Sequence, residues 1–346
     1  MDFNFAYELL PEAENEIESF YHSLEYVTLE QYPAWAVLVK GNFRNCFFIA
    51  RDKGRIVCTA VIVERKAKVF RFAIIQFGPL FKEPESLIAS LISIDQYYRN
   101  KGYIFLTVQL AIPTGNTADL IEYRLSKALK VRTYFNRDNW SSIVLNLNAT
   151  EEDIRRNFSK GHKSDLKKSE KSQISVSVLS SEEELDGFCQ LYVKMNKERG
   201  LPIDEGESDA FLRRIYDFLK RTGQGDWLIV RDNTGHLLGG LVLLYQGRNV
   251  RYFRGASDPA YRHVPVLHLA IWEGIKRAKA LGYHYFDFWG YNHFVNENDQ
   301  VFYINRFKKG FGGSYSFYPK KMFVLYKPLM YRLYSLLIGI QKRWKK

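Results

Sequence analysis

The feature that most constrains this chain is a spacing. Arg51-Asp52 recurs as Arg231-Asp232, and Gly102-Tyr103 recurs as Gly282-Tyr283, both at an offset of 180 residues. Each Arg-Asp pair precedes a glycine turn and an apolar strand-like run, the mark of a β-hairpin. Each Gly-Tyr pair ends a long amphipathic stretch of helical period and opens another short apolar run. A chain that carries the order hairpin, strand, long helix, strand twice has to bury the same mixed layer twice. Its 346 residues suit two such domains, because single cores stop growing below about 300 residues.

The periodicity predicts helices over about 12–24, 84–101, 116–128, 151–171, 181–198, 207–221, 263–281 and 328–344. Strand-like runs lie at about 45–51, 56–64, 69–77, 103–109, 142–147, 174–179, 226–231, 237–246, 249–256 and 284–289. Asp52-Lys-Gly54 and Asp232-Asn-Thr-Gly235 read as hairpin turns. A hydrophobic fraction of 46% supplies the cores, and the 16% aromatic content favours sheet. The expected class is α/β (α+β). Thr150 followed by Asp153 has the form of a helix cap, so the seam between the copies is expected near Asn146–Glu151.

Cys46, Cys58 and Cys189 show no metal-ligand spacing, so buried reduced thiols and no metal are expected. The first residues are acidic and lack the basic start and apolar core of a secretory signal. No apolar run approaches the roughly 20 residues that span a bilayer, which points to the cytoplasm. The net charge of +12 is concentrated. Residues 155–171 carry seven Lys or Arg against two acids, and residues 320–346 carry eight and no acid. Such clusters suit polyanionic partners. The 328–344 stretch is also amphipathic, with Leu329, Met330, Leu333, Leu336, Leu337 and Ile340 on one face. It suits packing on the first domain, and beyond that a peripheral contact with an anionic membrane.

The chemistry concentrates in 250–313. Gly255-Ala256-Ser257 ends a strand, Asp258-Pro259 turns the chain, and an amphipathic helix closes on Gly282. A strand then runs to Trp289-Gly290, and the loop after it lies where α/β sheets place ligands. After that loop comes Arg306-Phe-Lys-Lys-Gly-Phe-Gly-Gly313, a lysine beside an aromatic ring among glycines. Gly255-Ala256-Ser257, Tyr261-Arg262-His263, Trp272, Ala278 to Gly282, Tyr285, Asp287, Gly290 and Phe307 to Gly312 together resemble the FemABX peptidyltransferases. The likeness is dense over 140–346 and looser before, where Gln31, Trp35, Lys40 and Gly78-Pro79 match.

The resemblance implies two tandem GNAT-like domains, 1–148 with 318–346 and 149–317, the C-terminal segment returning to the first. It implies transfer of an amino acid from aminoacyl-tRNA onto a peptidoglycan precursor, without a cofactor, in the cytoplasm or at the inner face of the plasma membrane; the oligomeric state is left open, with a monomer favoured. Lys308 takes the catalytic position, charge stabilisation of a tetrahedral oxyanion being a large term in acyl transfer. Phe307, Trp35, Lys40, Tyr252, Arg254 and Arg199 fall at substrate positions, Lys40 as a point charge for a diphosphate. Tyr252 and Arg254 share one strand side by period two. Arg155, Arg156, Lys160, Lys163, Lys167 and Lys168 suit the tRNA backbone. Where the family has an Arg and a Tyr after the Arg199-Gly200 pair, this chain has an acidic stretch, 203–208. An acyl-CoA N-acyltransferase is the alternative, and a binding protein without activity is a further one. Against CoA, the turn Arg262-His-Val-Pro-Val266 lacks glycine, and Pro265 removes a donor from any pyrophosphate cradle.

Overall fold

A computed structural model describes residues 1–39, 43–129, 131–133, 141–200 and 208–343. In chain order the strands are β1 Asp2–Ala6, β2 Arg44–Asp52, β3 Arg55–Ala67, β4 Phe70–Ile75, β5 Leu80–Phe81, β6 Phe105–Val108, β7 Val131–Thr133, β8 Ser141–Asn146, β9 Ile174–Val178, β10 Gly225–Asp232, β11 Leu237–Gln246, β12 Asn249–Ser257, β13 Tyr285–Asp287, β14 Ser314–Phe317 and β15 Met322–Leu325. The helices are α1 Pro11–Ser23, α2 Pro33–Leu38, α3 Pro84–Asn100, α4 Asn116–Ala128, α5 Glu151–Arg156, α6 Lys160–Glu170, α7 Glu182–Glu198, α8 Asp209–Thr222, α9 Val266–Ala280, α10 Gln300–Gly310 and α11 Pro328–Arg343.

The chain divides into two compact units, Met1–Trp140 with Phe317–Lys346, and Ser141–Ser316. The first holds a sheet in the order β1-β2-β3-β4-β6-β15-β7, with β5 beside β3. The second holds β14-β8-β13-β12-β11-β10-β9. The division at 140/141 lies ahead of the expected seam near Asn146–Glu151. The reason is β8, which pairs antiparallel with β13, Leu145 opposite Phe286, and so belongs to the second sheet.

The repeat seen in sequence is a repeat of backbone events. The β2–β3 register shifts between Ala50 and Arg51, and the β10–β11 register shifts between Val230 and Arg231. Helix α3 ends with Gly102 N–H on Arg99 O and Tyr103 N–H on Tyr98 O. Helix α9 ends with Gly282 N–H on Lys279 O and Tyr283 N–H on Ala278 O. Both are Schellman ends, and both need the left-handed glycine, at φ 74 and φ 84.

The first core packs Phe48, Ile62, Ile75 and Leu106 of the sheet against Leu91 and Ile94 of α3 and Ile121 of α4. The second packs Leu228, Val230, Leu241 and Phe286 against Leu269 and Ile275 of α9 and Phe158 and Leu166 beside α5 and α6. Each fully buried Leu, Ile or Phe contributes about 1.5–3 kcal/mol. Met330, Tyr331 and Tyr334 of α11 pack on Phe70, Phe72 and Phe105 of the first sheet. The three cysteines are buried and unbridged.

Two sequence expectations change. The 151–171 helix is two helices. Thr150 caps α5 through Asp153 N–H, as expected, but Ser159 then caps α6 through His162 N–H, and the buried Phe158 turns the chain between them. The glycine-flanked run at 306–313, where no helix is expected, begins inside one: Arg306–Gly310 are the last residues of α10, capped at its start by Asp299. The polar stretch 292–299 hid that helix, because its apolar residues form no stripe long enough to read.

Candidate active site

The site is built where β13 ends. The parallel ladder between β12 and β13 covers only Asn249–Arg251 against Tyr285–Asp287. Past it, Trp289 and Gly290 both adopt the left-handed conformation, at φ 46 and φ 59. Their carbonyls accept hydrogen bonds from the Lys308 amine, with Gly290 O at 3.0 Å and Trp289 O closer.

Lys308 reaches that turn from the last turn of α10 and is 9% exposed. Its neighbour Lys309 is exposed, its amine 5.9 Å from the Tyr315 ring. The two adjacent lysines, hard to separate in sequence, are thus unlike in surroundings. Burial pushes the Lys308 amine down to about 8, and the nearby Arg254 charge adds to the fall while Asp287 opposes it. At neutral pH the amine is chiefly an ammonium. It has three N–H donors, and the two carbonyls account for two of them.

Three residues outside the expected site set hold this turn, Asp287 among them already a point of the family likeness, and a fourth, Asn305, holds the segment after it. Asp287, 3% exposed, accepts the Ser142 hydroxyl and the Trp289 N–H, the latter at 2.7 Å. Arg251, 1% exposed, lays its guanidinium 3.5 Å from the Trp289 ring centre. Asn305, one helical turn before Lys308, donates to Asn292 O at 2.6 Å. Burial pushes the Asp287 carboxyl up, while the two hydrogen bonds and the charges of Arg251 and Lys308 favour its ionised form. The available signal was the pairing of strand positions 251 and 287, opposite charges side by side on adjoining strands.

Phe307 lies half-buried against the rings of His162, His268 and Phe311, at 5.5, 5.3 and 5.3 Å. His162 also pairs with Phe307 O at 2.9 Å. The glycines after Lys308 serve this packing. A Cβ on Gly310 would stand 2.0 Å from the His162 ring, and one on Gly312 would stand 2.7 Å from Asn157 O. They let α10 seat closely, so Lys308 is aimed by a helix and not by a flexible loop.

The Arg254 charge acts on both Lys308 and the Tyr252 hydroxyl, and Arg199 acts on Tyr252 as well. Burial raises the Tyr252 hydroxyl to about 12 against these cations. Simple alternation does not relate Tyr252 to Arg254 as expected. Tyr252 pairs with Leu243 and Arg254 with Val242, leaving Phe253 as an extra residue at a register shift. Arg199 is the C-cap of α7.

Trp35 lies in α2 of the first unit at 4% exposure. Lys40 lies outside the described residues. Gln31 and Gly78, the other early matching points, form one structural device. Gln31 donates to Gln76 O at 2.8 Å and accepts Val61 N–H at 2.9 Å, in space that a Cβ on Gly78 would occupy. On the second unit, Lys160, Lys163, Lys167 and Lys168 of α6 are exposed. Arg155 and Arg156 differ, since Arg155 forks onto Glu170 at 2.9 and 2.8 Å and Arg156 pairs with Asp153 and Glu152.

Residues 156–308, the stretch that ends on Lys308, match the acetyltransferase (GNAT) domain family. The second unit is a GNAT acyltransferase domain. Among solved structures, FemX aligns over 96% of this chain and 99% of its own, at TM-score 0.83 and 16% identity. L-PGS from Bacillus licheniformis aligns over 94% of each chain, at TM-score 0.59 and 12% identity. A tandem GNAT protein from the clavulanic acid biosynthesis pathway aligns over 94% of this chain and 99% of its own, at 0.54 and 10%. These likenesses establish the fold, the FemX-like tandem GNAT architecture that the sequence led us to expect. No curated protein matches the chain in sequence.

Proposed function

We propose that the chain transfers an amino acid from aminoacyl-tRNA to the peptide stem of a peptidoglycan precursor. The observation that carries this reading is the Lys308 ammonium, buried and gripped by two carbonyls at the end of β13. The acceptor amine attacks the ester carbonyl, the carbonyl oxygen takes the negative charge, and collapse releases the tRNA hydroxyl and leaves an amide. The third N–H of Lys308 donates to that oxygen. A preorganised donor of this kind is worth roughly 3–4 kcal/mol. Positioning supplies the remainder, the substrates moving the proton between them.

The exposed lysines of α6 suit a tRNA backbone, with Arg155 and Arg156 holding the local helix ends through their ion pairs. Tyr252, Arg254, Arg199 and Phe307 are the substrate-side residues of the second unit, and Trp35 and Lys40 those of the first. The α9 N-terminus favours tRNA over CoA as donor. Its N-cap is Pro265, and the Val266 N–H is already bonded to Val264 O at 2.9 Å, so two of the groups that cradle a pyrophosphate are missing or engaged.

Among the described residues no helix is long and apolar enough to cross a membrane. Helix α11 nevertheless leaves Leu329, Leu333, Leu336 and Leu337 at 78, 48, 64 and 41% exposure, in a segment without acids. That stripe suits a peripheral contact with an anionic bilayer, where a lipid-linked acceptor would be met.

The test is incubation with a pool of charged tRNAs and, separately, a nucleotide-linked and a lipid-linked precursor, read by mass. A gain of one aminoacyl residue is expected with at least one acceptor. Transfer from an acyl-CoA in place of charged tRNA overturns the choice of donor. Anionic vesicles in the same assay report on α11: co-sedimentation that Leu333→Ser with Leu336→Ser leaves unchanged removes the membrane contact.

A further inference from the structure

We propose that Asp287 is the positioning residue for Lys308: it holds the left-handed turn at Trp289 whose carbonyl grips the amine, and it supplies the counter-charge of that cradle. This rests on the acyl-transfer reading of Lys308 and states how the lysine is set.

The backbone argument comes first. Along a regular strand, successive carbonyls point to opposite sides. Trp289 O and Gly290 O instead meet at one nitrogen, which only a turn can arrange. That turn places a tryptophan at φ 46, a conformation that large side chains resist. Asp287 opposes the resistance locally. Its Oδ1 accepts the N–H two residues on, closing an Asx turn, and the Ser142 hydroxyl from β8 fixes that same oxygen. Arg251 secures the other end of Trp289 by its place over the ring.

The charge argument is independent. Among the described residues, the charges that act on the Lys308 amine are those of Asp287 from β13 and Arg254 from β12. Asp287 favours the ammonium, and Arg254 and burial oppose it. A lysine buried beside a second cation, with no carboxylate near, would lose its proton at or below neutral pH. Asp287 therefore supplies both the shape of the cradle and the counter-charge within it.

The test follows the amine directly and needs no substrate. Full-length protein labelled with ¹³Cε-lysine is titrated by NMR, the Lys308 signal being the one missing from Lys308→Arg. Asp287→Asn keeps an oxygen for the Trp289 N–H and removes the charge. The Lys308 midpoint is expected to fall by about one pH unit, as when a close opposite charge is lost. The alkaline limb of turnover should move with it. An unmoved midpoint in folded Asp287→Asn overturns the proposal and leaves Asp287 as a turn cap only.

Trp289→Gly gives the second answer should that variant fail to fold, because glycine takes φ 46 without strain. With Asp287 intact its midpoint should stay near that of the wild type. A fall of a full unit would assign the setting to the ring and Arg251, and would also overturn the proposal. Absence of amino acid transfer, by contrast, would sink the functional reading without touching this titration.

Discussion

The two units are built from one plan and differ where it matters. In the first, β4 and β6 pair from Phe72 with Phe105 to Ile75 with Val108. The pairing then runs on, Gln109 N–H to Ile75 O at 2.9 Å and Gly78 N–H to Gln109 O at 2.8 Å. In the second, the equivalent ladder stops at Arg251 with Asp287, and the chain turns left-handed toward Lys308. At the offset of 180, Thr107 stands for Asp287, Gln109 for Trp289 and Leu110 for Gly290. The copy that stays zipped has no charge at that strand end. The copy that opens has an acid, a stacked tryptophan and a buried amine. The comparison teaches that the chemistry comes from ending one ladder early, and that the shared hairpin, helix and Schellman end serve both copies as scaffold.

The largest expected effect breaks that difference. Lys308→Met removes the cation from the open copy and should lower turnover about 10²–10³-fold, with the affinity for charged tRNA changed little. Single-turnover rates and a binding isotherm measured together check it. Full activity in the variant would mean that the open ladder is not the reacting centre.

Next come the close-approach glycines, one in each copy. Gly310→Ala drives a methyl into His162 and unseats α10, so turnover per folded molecule should fall along with stability. Gly78→Ala displaces Gln31 and orphans its buried partners, costing about 1–3 kcal/mol, while turnover per folded molecule stays near wild type. Thermal melts beside active-site titration separate the two. Equal losses of specific activity would show that the first copy shapes the reacting groups as well.

The pH dependence sharpens the same contrast. Lys308 titrates near 8 in the folded protein, below its usual 10.5. Turnover should therefore fall as pH rises through about 8, close to tenfold per unit once past it. Stability should respond in the opposite sense. Between about 8 and 10.5 the unfolded chain binds the proton that the folded chain has released, so this residue's contribution to stability rises with pH in that window. Denaturant midpoints for wild type and Lys308→Met across pH 7–10 test it. Wild type should gain stability relative to Lys308→Met in the more alkaline samples.

Much of this was legible in the sequence because it was written in backbone chemistry. Gly102 and Gly282 end helices in the one conformation that glycine alone takes easily, and their spacing exposed the duplication. The Asp52-Lys-Gly54 turn appears as Lys53 and Gly54 at φ 49 and φ 80. The Lys308 signal was a residue pattern, and its surroundings were not readable. Asp287, Ser142 and Arg251 lie up to 145 positions apart and meet only through the order β8-β13-β12. Helix α10 escaped because two buried polar side chains, Asn305 and Lys308, stand where a hydrophobic stripe would announce a helix. The break at Phe158 escaped because a capping serine inside a lysine-rich run resembles any other exposed polar residue.

The smallest expected effect concerns surface charge, in which the copies also part. Lys160, Lys163 and Lys167 line one exposed face of α6, opposite the buried Leu166 and Ser169, and this face belongs to the second unit. In the first unit, Lys327 and Arg332 are exposed on and beside α11. If tRNA meets the open copy, Lys163→Glu with Lys167→Glu should weaken charged-tRNA binding several-fold and lower the salt slope by about 2. Lys327→Glu with Arg332→Glu should leave that slope alone and weaken adsorption to anionic vesicles, each cation being worth about 1 kcal/mol near such a surface. Turnover at saturating tRNA should hold in both pairs, because neither lies at the β13 turn. A salt slope that drops equally in both would show the nucleic acid spanning the two copies, and would move the acceptor-side assignment of the first unit with it.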